Sequence, residues 1–182
     1  MSTNHSPRLQ TKRLELRPLK SSDAAQIAKL AGDRRIAATT LNIPHPYEVD
    51  IAKDFIHATR HDMDKKRAYV FAITLQAEQK LLGCIGLTLQ RMYMTGELGY
   101  WLGVPYWGQG YTTEAAKQVI AFGFEELELN RIYATYFTDN LASGRILEKC
   151  GLQHEGILRQ HLMKWGEFKD LAHCGILRSE WK

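Results

Sequence analysis

The chain has 182 residues, 45% of them hydrophobic and 24% charged, with a formal net charge of +4. That is enough for one domain over 1–182 with a sizeable core, and no apolar run approaches the roughly 18 residues of a membrane span or the apolar stretch of a secretory signal. The expectation is a soluble, cytoplasmic protein with no membrane partner. Apart from Lys65-Lys66-Arg67 the basic residues are dispersed, whereas a nucleic-acid binder gathers them on a face or stripe. Direct nucleic-acid binding is therefore not expected, and the mild basicity suits an anionic cofactor. Cys84, Cys150 and Cys174 are odd in number and form no C-x-x-C pair, so all three read as reduced core thiols.

Residues 1–8 are polar and read as a flexible N-terminus. Over 11–18, Leu14 and Leu16 alternate with Arg13, Glu15 and Arg17, the period of a strand. Asp23 is placed to cap a helix whose Ala24, Ile27, Ala28 and Ala31 share a face, with Gln26 at the capping-box position. Pro44 and Pro46 forbid a regular helix and mark a rigid loop through Tyr47. A helix from Val49 to Asp64 then packs Ala52, Phe55, Ile56, Thr59 and Met63. Its His57, His61 and Asp54 lack a clear further ligand and read as a solvated face, so no metal is expected.

Two β-branched-rich runs, 68–75 and 81–89, are separated by five mostly polar residues and read as a hairpin. A third strand covers 96–104. A helix to about Leu127 carries Ala116, Val119, Ile120, Gly123 and Leu127 on one stripe, and Ile132, Ala134 and Tyr136 alternate in a strand over 131–138. A short helix opens at Asn140 and closes near Gly151, which suits a left-handed cap. Two last strands, 154–164 and 168–180, flank Trp165-Gly166-Glu167. The early strands are hairpin-linked and antiparallel, while the strand-helix-strand unit over 96–138 must be parallel. The fold class is therefore α/β (α+β), one mixed, mostly antiparallel sheet of about seven strands with helices on both faces.

The organising stretch is 99–116. A strand runs into Pro105, a loop with Gly108 and Gly110 follows, and a helix begins. A helix start leaves about four N–H groups unpaired and carries roughly half a positive charge. Glycines before it let the backbone take positive φ and approach an anion closely. Neither a Walker Lys-Ser/Thr pair nor a dinucleotide glycine pattern is present. Taken alone, the loop is either an anion cradle or a strand-to-helix turn with two convenient glycines.

The stretch resembles the GCN5-related N-acetyltransferases (GNAT), most closely the branch that acetylates ribosomal-protein N-termini (RimJ/RimL-like). The family motif Arg/Gln-x-x-Gly-x-Gly/Ala falls on residues 107–112, with Trp107 and Thr112 replacing its ends and Gly110 kept; the branch's Trp-Gly-x-Gly-Tyr is present as Trp107 to Tyr111. The opening strand, Thr-x-Arg-Leu-x-Leu-Arg-Pro over 11–18, matches as well. The resemblance covers nearly all of the chain. It implies the GNAT fold, acetyl-coenzyme A as cosubstrate, and transfer of the acetyl group to a primary amine, a protein N-terminus or a small molecule, by direct attack. A non-catalytic acyl-coenzyme A-binding module is the alternative, and relatives that dimerise leave a homodimer open.

The resemblance also assigns residues. Trp107, Gly108, Gln109, Gly110, Tyr111 and Thr112 would bind the pyrophosphate, and free backbone groups of Leu102, Gly103 and Val104 would take the pantetheine arm. Asn140 either meets that arm or caps its helix, and Arg145 either reaches a phosphate or is an exposed helix arginine. Tyr47 borders the acceptor pocket in the family, or is a hydrophobic loop anchor. An attacking amine must lose a proton, and Glu97 lies on one strand face with Gly99 and Trp101. A carboxylate on this strand is the base in many relatives, so Glu97 is the expected base, against the reading of an ordinary strand glutamate. Trp101 shares its face and is expected beside the acceptor. Many members protonate the departing thiolate with a tyrosine whose position here is Leu147. In the ribosomal-protein branch a serine is proposed instead, here Ser143, although a thiolate of pKa about 8.5 is a fair leaving group unaided.

Overall fold

The computed structural model describes residues 7–182. Most of the N-terminus expected to be flexible lies outside the described residues; within them, Arg8 bonds Glu15 at 2.6 Å. Leu14 and Leu16 do form a strand, but it is shorter than expected. Thr11 turns back on Leu14, its N–H 2.9 Å from the Leu14 carbonyl, so the strand starts only at Leu14 as β2 (Leu14–Pro18), and a separate short strand, β1 (Leu9–Gln10), precedes the turn. The sheet therefore has eight strands rather than seven, because a two-residue strand is too short to show a period.

The remaining strands are β3 (Ala68–Leu75), β4 (Leu81–Gln90), β5 (Thr95–Leu102), β6 (Arg131–Phe137), β7 (Gln153–Lys164) and β8 (Glu167–Leu177), in spatial order β1-β2-β3-β4-β5-β6-β8-β7. All neighbours are antiparallel except β5 and β6. Helices α1 (Ala24–Ala31) and α3 (Val49–Asp64) bury Ala24, Ile27, Ala52 and Ile56 against one face, with Ala72 and Cys84 of the sheet. On the other face α4 (Tyr111–Glu125) and α5 (Leu141–Lys149) cover Leu16, Phe71, Leu87, Leu98 and Ile132. Gly151 takes φ +89° and ends α5 with a left-handed cap, Leu152 N–H returning to the Leu147 carbonyl at 3.0 Å. Among the described residues no helix is long and apolar enough to cross a membrane.

Two local expectations change. A six-residue helix, α2 (Arg34–Thr39), precedes the proline loop, its Asp33 cap accepting from the Arg35 N–H at 2.9 Å. Asp23 does not cap α1. Its carboxylate faces the buried Arg17 guanidinium with two contacts of 2.8 Å and accepts the Lys20 N–H at 2.7 Å. A cation buried this deeply needs a counter-charge more than a helix needs a cap.

Burial pushes the Asp23 carboxyl up, but Arg17 and the Lys20 amide outweigh it and leave the group below the usual range. Its stabilisation is thus present above the ordinary carboxylate pKa and is lost as pH falls through the lowered folded value. Asp23→Ala, which strands Arg17, is expected to cost about 3–5 kcal/mol. Urea unfolding at neutral pH measures it.

Candidate active site

β5 and β6 pair only at Thr95↔Arg131, Gly96↔Ile132 and Glu97↔Tyr133, and then part. Each keeps its other neighbour: β5 stays with β4 to Gly83↔Leu102, and β6 stays with β8 to Phe137↔Leu171. A cavity of about 740 Å³ occupies the fork. Gly108, Gly110 and the first turn of α4 line it together with Ser143 and Arg145, as do Glu97, Trp101, Phe55 and the segment 39–43, which Asn140 reaches. Both sheet faces contribute, since Tyr100 and Leu102 pack with the α4 side and Trp101 with the α1–α3 side.

In the loop before α4, Gly108 and Gly110 adopt φ +74° and +78°, so the left-handed backbone that favours glycine is present at both. Gly110 is the N-cap, and the N–H groups of Tyr111, Thr112 and Thr113 in the opening turn have no intrahelical acceptor. The loop is tied at three points. The Trp107 indole donates to the Leu102 carbonyl at 2.6 Å, the Gln109 amide to the Pro105 carbonyl at 3.2 Å, and Arg13 to the Gln109 carbonyl at 3.0 Å. Arg13 also bonds the Glu114 carboxylate at 2.7 Å and lies 4.4 Å from the Tyr111 ring centre. Glu114 is an acidic residue in the turn that would face an anion, and Arg13 offsets it.

The strand groups expected to be free are only partly so. Gly103 N–H donates to the Leu82 carbonyl at 2.8 Å, its own carbonyl accepts from Tyr106 at 2.9 Å, and the Val104 carbonyl accepts from Trp107 at 3.2 Å. The Gly103–Leu82 bond makes Cys84 and Trp101 a hydrogen-bonded pair, so by alternation the N–H groups of Tyr100 and Leu102 turn away from β4 into the fork. Gly103 also makes no room for a ligand, because a Cβ there would meet Leu30 at 2.8 Å; Gly99 is open, with nothing within 4 Å.

Ser143 Oγ lies 2.7 Å from the Tyr100 hydroxyl, which burial pushes above its usual pKa. Asn140 Oδ1 accepts the Ser143 N–H at 3.2 Å, which makes Asn140 the α5 cap, and its amide nitrogen lies 3.5 Å from the Thr39 carbonyl. Arg145 is exposed at the rim, and Leu147 is a buried apolar residue.

Glu97 is the last residue of β5 paired to β6, at the point where the fork opens. It is partly buried opposite Thr88, with Tyr133 beside it. The Tyr133 phenol is pushed up by burial and then by the Glu97 charge. Tyr47 is not part of the lining: it packs half-buried against the α1–α3 cluster, where burial pushes its phenol up to about 12. Gln109, Gly103 and Val104 also lie outside the lining. Reading along the chain missed Tyr100 and Tyr136, which lie on the same face as Leu98 and Ala134 and line the cavity. The alternation of Ile132, Ala134 and Tyr136 was the available signal for Tyr136. His61 meets the Arg67 guanidinium at 3.0 Å, and among the described residues no group of three His, Cys, Asp or Glu is arranged for a metal.

A forked β5–β6 pair, a left-handed glycine loop on a helix N-terminus and a carboxylate where the fork opens are brought together around one cavity. Residues 13–153 match the acetyltransferase (GNAT) domain model, and the chain belongs to that family, whose members are acetyl-coenzyme A-dependent N-acetyltransferases. It is 32% identical to the uncharacterized N-acetyltransferase YoaA of Bacillus subtilis, over 94% of this chain and 97% of that one. A GNAT-family acetyltransferase from Bacillus anthracis superposes with a TM-score of 0.85 at 25% identity, covering 96% of this chain and all (100%) of the other. A proposed ribosomal-protein-serine acetyltransferase from Vibrio cholerae does so with a TM-score of 0.79 at 28% identity, covering 97% and 99%.

A Cβ at Gly110 would have space, its nearest neighbour being Arg13 at 3.5 Å, so the cost of Gly110→Ala is the left-handed φ itself. A residue held there loses about 1–2 kcal/mol, and acetyl-coenzyme A affinity is expected to fall roughly tenfold as the loop relaxes. Calorimetric titration of the folded variant measures it.

Proposed function

We propose that this enzyme acetylates the primary amine of a singly charged acceptor, a peptide N-terminus before a polyamine, by direct attack assisted by Glu97. One observation carries the reading: Glu97, at the opening of the fork, is the sole carboxylate lining the cavity among the described residues. A cationic amine is drawn to that carboxylate and surrenders its proton there, directly or through a water. The neutral amine then attacks an acetyl thioester. A polyamine needs carboxylates along its length, whereas Ile36, Ile43, Phe55 and Val70 make this side of the cavity apolar, with Thr39, Thr40 and Asn42 as its polar members. The ribosomal-protein activity proposed for the Vibrio cholerae relative agrees with a peptide amine.

Acetyl-coenzyme A supplies the activated acyl group. The residues present fit it: the N–H groups of Tyr111, Thr112 and Thr113 suit a pyrophosphate, Arg145 and Lys149 add positive charge at that end of the lining, and the inward amides of Tyr100 and Leu102 are donors for the pantetheine or for charge developing on a thioester oxygen. The Ser143 hydroxyl, 2.7 Å from that of Tyr100 and in the same lining, is the proposed donor to the departing sulfur. A covalent intermediate on cysteine is disfavoured, because burial pushes all three thiols up, Cys150 to about 11, and the thiolate is the nucleophile.

Turnover is read as free thiol released across peptide N-termini, monoamines and polyamines. Glu97→Gln is expected to lower kcat at pH 7 by about 100-fold or more with acetyl-coenzyme A affinity kept; unchanged turnover would remove Glu97 as base. Acetyl-coenzyme A binding without turnover of any amine would favour a non-catalytic module. Ser143→Ala is expected to lower kcat with little change in either KM, and unchanged kinetics would remove it as the acid.

A further inference from the structure

The acceptor side of the cavity is held from the far end of the chain. Lys164 closes β7 at the tip of the last hairpin, and its Nζ lies 2.9 Å from the Thr40 carbonyl, 3.2 Å from that of Leu41 and 3.4 Å from that of Ile43. An ammonium has three donors and no acceptor, so three carbonyls satisfy it fully. These carbonyls follow directly on α2, where the helix presents its negative end. Trp165 reinforces the contact: its ring centre is 5.0 Å from the Arg34 guanidinium of α2 and 5.5 Å from Lys164 Nζ.

The segment being held has little else to fix it. Residues 40–48 form no helix or strand. Yet Thr40, Leu41 and Ile43 all line the same cavity as Glu97. Lys164 gains no carboxylate in return for leaving water, and burial lowers its pKa. A lysine placed only for solubility would extend into solvent instead.

We propose that Lys164 is a positioning residue for acceptor recognition, gathering the Thr40, Leu41 and Ile43 carbonyls so that this segment forms one defined wall of the acceptor pocket. The inference rests on the assignment of the Glu97 side of the cavity to the acceptor. It makes the β7–β8 hairpin, which among the described residues supplies only Leu171 to the lining, a determinant of which amines are accepted.

The test uses Lys164→Met, which keeps the length of the side chain and removes the ammonium, with Lys164→Arg as the conservative variant. Hydrogen exchange across 39–43 is measured on the full chain without ligand. Steady-state kinetics use acetyl-coenzyme A and a short synthetic peptide with a free N-terminal serine, alongside the amine series above. For Lys164→Met, exchange in 39–43 is expected to speed up, and acceptor KM to rise roughly tenfold, with acetyl-coenzyme A KM and the melting temperature little changed. Lys164→Arg should recover part of both effects. Unchanged exchange, or faster exchange with acceptor KM unchanged, overturns the proposal. A parallel rise in both KM values overturns it too, because the effect is then not confined to the acceptor side. If the wild-type enzyme turns over no amine at all, the acceptor assignment falls first and this inference with it. Wild-type turnover that Lys164→Met leaves intact sinks the inference alone.

Discussion

The fork between β5 and β6 is the constraint on which the rest of the site depends. Adjacent parallel strands normally continue their ladder, because an unpaired buried amide costs as much as a lost hydrogen bond. Here the ladder stops at Glu97↔Tyr133 while each strand goes on pairing with its outer neighbour. The N–H groups of Tyr100 and Leu102 are consequently turned into a cavity rather than toward a partner strand. The Leu102 carbonyl, on the same side, is already satisfied by the Trp107 indole. What remains is a short row of backbone donors facing the cavity, which the pantetheine arm would complete on the reading proposed above.

Around that opening, charge is distributed along one axis. The N-terminus of α4 is the positive end, and its built-in acid, Glu114, is held by the Thr11 hydroxyl at 2.6 Å, by the Arg13 N–H at 2.8 Å and by the Arg13 side chain. Burial pushes the Glu114 carboxyl up, but these bonds leave it below its usual range, so it stays ionised and stays paired. Far from repelling a phosphate, it anchors the arginine that braces the Gln109 carbonyl. Glu97 is the one carboxylate in the cavity lining among the described residues. A helix N-terminus and a carboxylate thus face the same cavity, which is the arrangement the proposed reaction draws on.

What was legible in the sequence follows from how locally each feature is determined. Gly108 and Gly110 announced themselves because few other residues tolerate the φ values found there. Alternation along β5 placed Glu97, Gly99 and Trp101 on one face. By contrast, β1 and α2 were too short to show a period. Asp23 was read as a cap because its pairing with Arg17 needs the sheet and the turn together. The Tyr100–Ser143 contact joins residues 43 apart. Gly103 looked free because the bond to Leu82 is a matter of register, and register emerges only when strands pair.

The same distinction separates the two ends of the site. The glycine loop and the start of α4 belong to 99–113, a continuous strand-loop-helix whose geometry its own glycines and helix start dictate. Its shape can therefore be read from sequence, although taken alone that shape does not name a ligand. The wall proposed for the acceptor is assembled from 39–43, Phe55, Glu97 and Trp101, with Asn140 and Lys164 reaching the first segment from 101 and up to 124 residues away. No local pattern specifies such a wall, because its shape is set by where a distant hairpin comes to rest. A fold that fixes the acyl donor locally and the amine non-locally can change acceptor through substitutions in α2 or the last hairpin while the donor machinery stays intact. That arrangement explains physically why the family resemblance, anchored on 99–116, carries the class of reaction while the acceptor has to be argued from the cavity.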